Sequence, residues 1–330
     1  MRRNFLQKLK HWFFSAGVLI FPLLFSASAQ HSSKTFIVRR GDTVSYLAVR
    51  YYGFFSDSLF TVLKTANAHI ADLNRIYPGD KLYFPLRPSA EPRLEQLRTA
   101  AAQAVLTFYE GPVRYRRAGR DQNSAFTPAE PNLFLGPGDE IETHVRARAE
   151  LVLDNRSVIR LAPNSHLKIN ALSRPEPANA TAQPLQAQFD FSLGSLWTRV
   201  TKIFDRQPKV DVKFPTAIAG VQGTSYRAMV AADSTTNVRV YEGAVEVRGG
   251  GSLTKPQPVG PPRRIEPPQQ VPGPQQIPLE AWVQLVRAQQ QITVARDGRP
   301  STPSPFTDRG ADLDWVKWNQ QRDRDLDAER

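Results

Sequence analysis

Apolar positions recur at helical spacing in one stretch of this chain and alternate through most of the rest. Phe36 and Val38 alternate as in a short strand, before the turn Gly41-Asp42-Thr43. Thr43 is placed as a helix N-cap, where its hydroxyl accepts from an unpaired backbone N–H of the first turn. Val44, Leu47, Ala48 and Tyr51 follow at helical period, and Gly53 is suited to end the helix in the left-handed conformation. Leu59, Val62, Leu63 and Ala66 repeat the helical period. Tyr77-Pro78-Gly79-Asp80 reads as a turn, and the residues after it as a closing strand that stops at Pro85. The order predicted for residues 36–85 is strand, helix, helix, strand.

The period then changes. Residues 86–104 read as a linker, with Pro88, Ala90 and Pro92 before a helix-prone run at 94–102. Over 105–248 the apolar residues alternate in short runs such as Leu151/Leu153, Ile159/Leu161, Leu167/Ile169 and Phe189/Phe191. Asp154-Asn155 and Pro163-Asn164 mark turns, an Ala- and Pro-rich loop interrupts at 173–184, and Glu242-Gly243 predicts a hairpin turn. Many short strands at regular spacing predict an all-β antiparallel sandwich or roll. The fold class of the whole is therefore α+β and multidomain. Residues 249–278 are rich in Pro, Gln and Gly and predict an extended segment. The segment 279–330 begins mixed. It then carries Trp315-Val316-Lys317-Trp318, two Trp expected to dock on the β block, and a polar tail whose last ten residues are expected to be solvated, with a helical end as one form they can take.

The N-terminus changes how the charge is read. Arg2, Arg3, Lys8 and Lys10 precede an apolar run at 12–25, and Ala27-Ser28-Ala29 has the form of a cleavage site. These are the three parts of a secretory signal peptide, expected over residues 1–29, with an uncleaved anchor as the alternative. The whole chain of 330 residues carries a net +12; removal of those four positive charges leaves +8. The remaining basic runs, such as Arg114-Tyr115-Arg116-Arg117 and Arg146-Ala147-Arg148, are scattered over different elements. Together with export, that argues against nucleic acid as a partner. No later segment is apolar enough to span a membrane. Location in the periplasm or cell envelope is expected.

Candidate chemistry narrows further. With no Cys, the chain has no disulfide scaffold, thiolate metal site or Cys nucleophile. Its five His include no H-E-x-x-H pair, there is no G-x-S-x-G elbow, and no phosphate-binding glycine loop occurs. The nearest carboxylate cluster, Asp139-Glu140-Ile141-Glu142, sits at a predicted β turn and reads as solvated. Neither a catalytic site, a metal nor a cofactor is predicted.

Residues 36–85 resemble the LysM family. The resemblance is carried by Phe36 through Val44 with Gly41-Asp42-Thr43, by Leu47-Ala48, Tyr51-Tyr52-Gly53 and Asn67, and by Ile76-Tyr77-Pro78-Gly79-Asp80-Lys81-Leu82. It implies a βααβ module that binds N-acetylglucosamine-containing glycans such as peptidoglycan. The implied shallow groove lies between Gly41, Asp42, Thr43 and Val44 on one side and Ile76, Tyr77, Pro78 and Gly79 on the other. Glycine lets backbone donors approach an acetamido group closely, which fits that chemistry. A lone module of this kind implies weak binding.

Residues 105–248 resemble the periplasmic domain of the FecR family. The carriers include Leu135-Gly136-Pro137-Gly138-Asp139-Glu140-Ile141, Leu193-Gly194-Ser195-Leu196, Gln222-Gly223-Thr224 and Glu242-Gly243. Relatives of that family sense transporter occupancy and control a sigma factor, which requires a cytoplasmic segment and a membrane helix. Neither is read here, so the resemblance implies the fold and the envelope location. Gly220 and Gly223-Thr224 are read as a fold-determining turn or bulge. The function expected is that of an exported, non-catalytic envelope protein that holds peptidoglycan through the first block. The β block is expected to present a surface to an envelope protein partner. The alternatives are a sensory or regulatory envelope protein and a cell-wall hydrolase targeted by the first block.

Overall fold

A computed structural model describes residues 34–85, 94, 96–97, 102–119, 124–153, 156–173, 186–201, 209–221, 223–249 and 282–328. The expected signal peptide, the 174–184 loop, Asp154-Asn155, Gln222, the Pro-rich stretch from 250 and most of the 86–104 linker lie outside the described residues. The first block is β1 (Lys34–Ile37), α1 (Val44–Tyr52), α2 (Asp57–Ala66) and β2 (Lys81–Phe84), with β1 and β2 antiparallel. Its start and stop signals act as their chemistry requires. Thr43 accepts from Tyr46 N at 3.1 Å, and Gly53, at φ 84°, returns its N–H to the Val49 carbonyl.

The larger block runs through β3 (Ala104–Glu110), β4 (Val113–Arg116), β5 (Thr127–Pro128), β6 (Phe134–Leu135), β7 (Glu140–Thr143), β8 (Arg148–Leu153), β9 (Val158–Leu161), β10 (Ser165–Ser173) and β11 (Gln186–Arg199). It continues through β12 (Lys209–Lys213), β13 (Ala217–Val221), β14 (Ser225–Val230), β15 (Thr236–Glu242), β16 (Ala244–Gly249), β17 (Val283–Arg287), β18 (Gln290–Val294) and β19 (Ser304–Pro305), and the chain ends in α3 (Ala311–Asp327). The strands curl into two layers. One runs β6-β3-β8-β9-β11-β14-β15-β18-β19. The other runs β5-β4-β7-β10-β11-β12-β13-β16-β17. All pairs are antiparallel except β11 with β12. β17 adds to the second layer beside β16, and β18 to the first beside β15.

Long β11 belongs to both layers. Up to Leu193 it pairs with β10, and from Gly194 it pairs with β9 and β14. Elsewhere the chain passes between layers at corners, and these hold left-handed residues: Gly111, Asn132, Gly138, Arg146, Asn164, Gly223, Gly243 and Gln289. Glu242-Gly243, expected as a hairpin turn, is such a corner. β15 pairs with β14 and β18, whereas β16 pairs with β13 and β17 in the other layer. A tight-turn signal is local and does not specify which strands pair. The corners also rest on one another. A Cβ on Gly243 would lie 2.9 Å from Thr224 Oγ1, the hydroxyl that donates to the Ala244 carbonyl at 2.9 Å.

Three apolar clusters hold the described residues in one compact unit. The largest lies between the layers and includes Leu106, Leu151, Phe189, Phe191, Tyr226 and Ile292. In the second, the first block packs on the outward side chains of the first layer, Val105, Val152 and Val158, together with Leu94 and Leu326. The third joins Trp197 and Tyr241 to Trp315 and Val316 of α3, so the tryptophan segment does dock on the β block. Each fully buried large apolar side chain contributes roughly 1.5–3 kcal/mol. The tail is not solvated as expected: Leu326 is buried and Arg322 and Asp323 are ion-paired, because the surface beneath α3 is itself charged.

The corner at Gly194 supplies a stability test. At φ 98° a Cβ would meet Ser165 Oγ, with the Asn164 carbonyl oxygen at 2.6 Å. Gly194→Ala is expected to destabilise by about 3 kcal/mol, from left-handed strain and backbone overlap. Urea unfolding checks this, and an unchanged midpoint would refute the corner's role.

Candidate functional site

The two loops implied as a groove are built locally. After β1 the chain turns at Gly41, φ 85°, with Asp42 N–H donating to the Arg39 carbonyl and the Asp42 carboxylate accepting from Arg39 N–H at 2.8 Å. Burial raises the Asp42 pKa, against the opposing backbone bond from Arg39 and the charge of Arg50. Before β2, Asp80 accepts from Tyr77 N–H at 2.8 Å, and Gly79, φ 100°, donates to the Val38 carbonyl at 2.9 Å. An Asx turn, Asn74 N–H to Asp72 Oδ1 at 2.9 Å, positions Asn74 beside them.

The structure brings Gly41, Asp42, Thr43 and Ile76 together on one open cleft of about 290 Å³. Val44 points into the core at 1% exposure, and Tyr77, Pro78 and Gly79 form the exposed loop beyond the cleft's described lining. The rest of the lining comes partly from Leu73 and Asn74 and partly from the β block: Phe108, Tyr109, Pro131 and Asn132. These last four lie far along the chain, and no local motif marks them.

Specific bonds fix this second wall. Thr43 Oγ1, already the cap of α1, donates to the Thr107 carbonyl at 2.6 Å. Ser45 N–H donates to Asn132 Oδ1 at 2.9 Å, and Asn132 Nδ2 donates to Asn74 Oδ1 at 2.7 Å. Asn132 holds φ 62°, a conformation that asparagine tolerates better than most residues. A Cβ on Gly41 would lie 3.2 Å from Phe108 Cε2, so the glycine also permits the approach of the two blocks.

Behind the wall lies a buried charge cluster. Glu150 and Arg160 are both at 0% exposure on the outer side of β8 and β9. The Glu150 carboxylate accepts from Arg160 Nε at 2.6 Å, from Arg322 Nε and Nη2 at 2.8 and 2.6 Å, and from Thr107 Oγ1 at 2.7 Å. Asp323 balances the second guanidinium, accepting from Arg160 at 2.7 Å and from Trp197 Nε1 at 3.0 Å. Burial pushes the Glu150 carboxyl up, but the charges of Arg322 and Arg160 and their hydrogen bonds outweigh it and hold it well below the usual carboxylate range. Burial dominates at Asp323 and raises its pKa against the pull of Arg160 and Arg199. Arg322 also lies 4.3 Å from the ring centroid of Tyr46 in α1 and 4.6 Å from that of Phe108. Burial pushes the Tyr46 hydroxyl up to about 12. One side chain of α3 therefore touches the first block, the groove wall and the β block.

Other candidates resolve as structural. Asp139 and Glu140, expected to be solvated, are buried and paired. Arg117 donates to Asp139 at 2.8 Å, and Arg116 and His166 reach Glu140 at 2.7 and 3.0 Å. The neighbouring basic run accounts for their burial. Among the described residues no group of three His, Cys, Asp or Glu could hold a metal. None of the described helices is long and apolar enough to cross a membrane.

Comparison with known proteins names the two blocks. Residues 36–85 match the LysM domain model and residues 139–246 match the FecR protein model. The chain carries a LysM domain followed by a FecR domain. Both are binding or regulatory domains, and both are typically extracytoplasmic. No curated protein matches the chain at a significant level. Two solved structures that resemble it are crystal structures, at 2.50 and 1.65 Å resolution, of a protein from Parabacteroides distasonis ATCC 8503 described as an anti-sigma factor. Each is 15% identical, covers 55% of this chain and 64% of its own length, and superposes with a TM-score of 0.35. This chain thus spans less than two thirds of that protein. The FecR match begins beyond β6, so Phe108, Tyr109, Pro131 and Asn132 lie in neither matched segment.

The charge cluster generates a prediction with a definite sign. Glu150→Gln leaves buried guanidinium groups underpaired and is expected to cost about 3–5 kcal/mol at pH 7. A depressed folded-state pKa gives stability that is present above the unfolded value of about 4.3 and lost as pH falls through the folded value. Asp323, with a raised pKa, acts oppositely and takes up its proton first. The gap between wild type and Glu150→Gln should therefore hold from pH 7 to about 5 and close only below about 4. Urea titrations across that range decide it; a gap that widens on acidification contradicts the assignment.

Proposed function

We propose that this protein is a non-catalytic component of the cell envelope that holds N-acetylglucosamine-containing glycan, peptidoglycan above all, in the cleft between the Gly41–Thr43 loop and Ile76. The observation that carries the reading is that open cleft, with Gly41, Asp42, Thr43 and Ile76 on its lining inside a LysM domain. Its chemistry suits an amino sugar. Ile76 offers apolar surface to an acetamido methyl, Asn74 offers an amide, and the loop backbone at Gly41 can be approached closely. Tyr77, 66% exposed, extends the apolar surface beside it. Residues 1–29 read as an export signal, which supports the location. The FecR domain supports a second role, a protein partner through the β layers, with sensing of that partner or of the glycan as its consequence.

Deleting residues 36–85 would strip the cover from Val105, Val152 and Val158, so point variants test the reading better. The exported form, residues 30–330, is expected to co-sediment with purified peptidoglycan sacculi. Ile76→Ser combined with Tyr77→Ala should lower its affinity at least tenfold, about 1.4 kcal/mol, and Tyr77→Ala alone, at an exposed position, should lower it with the unfolding midpoint nearly unchanged. Equal retention of the double variant would sink the proposal.

A further inference from the structure

The LysM cleft does not end at the LysM domain. A second cleft, of about 610 Å³, opens between α2 and the β block, and it shares Asn74, Pro131 and Asn132 with the first. The two are therefore parts of one groove that turns about the Asn74–Asn132 pair. Asn132 Nδ2 engages Asn74 Oδ1, so the Asn74 Nδ2 donor is the amide group presented at the junction. Beyond it the second cleft is lined by the rings of Phe55, Phe60 and Phe134, by Gln103, and by the carboxylates of Asp57 and Glu130. Phe55 and Phe134 stack at 5.4 Å across the boundary between the blocks, which fixes that floor.

Rings that pack on a pyranose face, with amides and carboxylates that accept from hydroxyl groups and an Arg117 guanidinium already paired with Asp139 at 2.8 Å, form a lining suited to a neutral saccharide. The first cleft is at the lower limit of volumes that hold a small ligand, and the second lies well inside that range of roughly 300–1,000 Å³. We propose that the functional site is a composite groove for an extended glycan, with the first cleft taking the amino sugars that the LysM loops recognise and the second taking the sugars that follow. Tyr109 and Phe60 are then specificity-determining residues. Tyr109 walls the first cleft from the β block, and Phe60 lines only the second. This inference rests on the glycan reading above and adds the length of ligand that the site prefers.

The test titrates residues 30–330 with N-acetylglucosamine oligomers of three and six units, by calorimetry. The hexamer is expected to bind at least tenfold more tightly than the trimer. Phe60→Ala should lower hexamer affinity at least fivefold and leave the trimer unchanged, whereas Tyr109→Ala should weaken both. Phe60 is half-buried, so Glu130→Ala, at an exposed position on the same cleft, is the companion variant, and its effect should likewise be confined to the hexamer. Equal affinity for the two oligomers, or a hexamer indifferent to both Phe60→Ala and Glu130→Ala, overturns the composite groove while leaving the LysM reading intact. Failure of either oligomer to bind, together with no retention on sacculi, overturns both.

Discussion

The buried carboxylate of Glu150 is the constraint on which the arrangement of this protein depends. The first β layer presents charge on both ends of its outer face: Glu150 and Arg160 at one end, Arg227 and Arg239 at the other. An uncompensated ion in such a place is costly, so the face must be covered by something that carries the opposite charges in register. Helix α3 does this. Asp312 meets Arg227 and Arg239, Arg322 meets Glu150, Asp323 meets Arg160, and Asp327 meets Arg199. The pairing adds little net energy over an apolar interface, but it admits only one register of helix on sheet.

That register reaches the groove through one residue. Thr107 donates its hydroxyl to Glu150 and offers its carbonyl to the Thr43 hydroxyl, which caps α1. The next residue, Phe108, lies against Gly41 on one side and under the Arg322 guanidinium on the other. The LysM loop, the groove wall and the C-terminal helix are thus consecutive members of one bonded chain. A displacement of any of them breaks a buried hydrogen bond or separates a buried ion pair. Here the β layers have a concrete physical role: they hold half of the cleft in place.

What could be read from the sequence follows from how local each feature is. The LysM block was legible because its signals act within a few residues: Thr43 as cap, Gly53 as stop, Asp80 closing the Tyr77 turn. Half of the cleft came with it. The other half, Thr107 to Asn132, joins the first block through hydrogen bonds 58 to 87 residues apart and carries no motif. Alternation revealed the strands, yet not that Glu242-Gly243 is a corner between layers, since turn chemistry does not name the partner strand. The docking of α3 was hidden for a different reason. Its docked stripe of Asp312, Trp315, Asn319, Arg322, Asp323 and Leu326 keeps helical spacing, but most of it is polar. A search for an apolar face reads such a stripe as solvated, because its complement is a charged sheet face elsewhere in the chain.

Rigidity bears on why a single LysM domain can be useful. A shallow groove binds weakly partly because ordering the loops and side chains at the site opposes binding, by about 0.5–1.5 kcal/mol for each rotamer-rich side chain. Here the loop at Gly41–Thr43 is already tied to β3, and Asn132 is held by both Ser45 and Asn74. Those costs are met when the chain folds, before any ligand is present. The chain has no Cys, so the order is not enforced by disulfides. It comes from polar bonds, buried or partly buried, between segments that are remote in sequence. Of these bonds, Ser45–Asn132 is buried, and a buried polar bond is the stronger for the low local dielectric. On the proposed reading, affinity gained in this way would depend on the integrity of the whole fold, the β layers included.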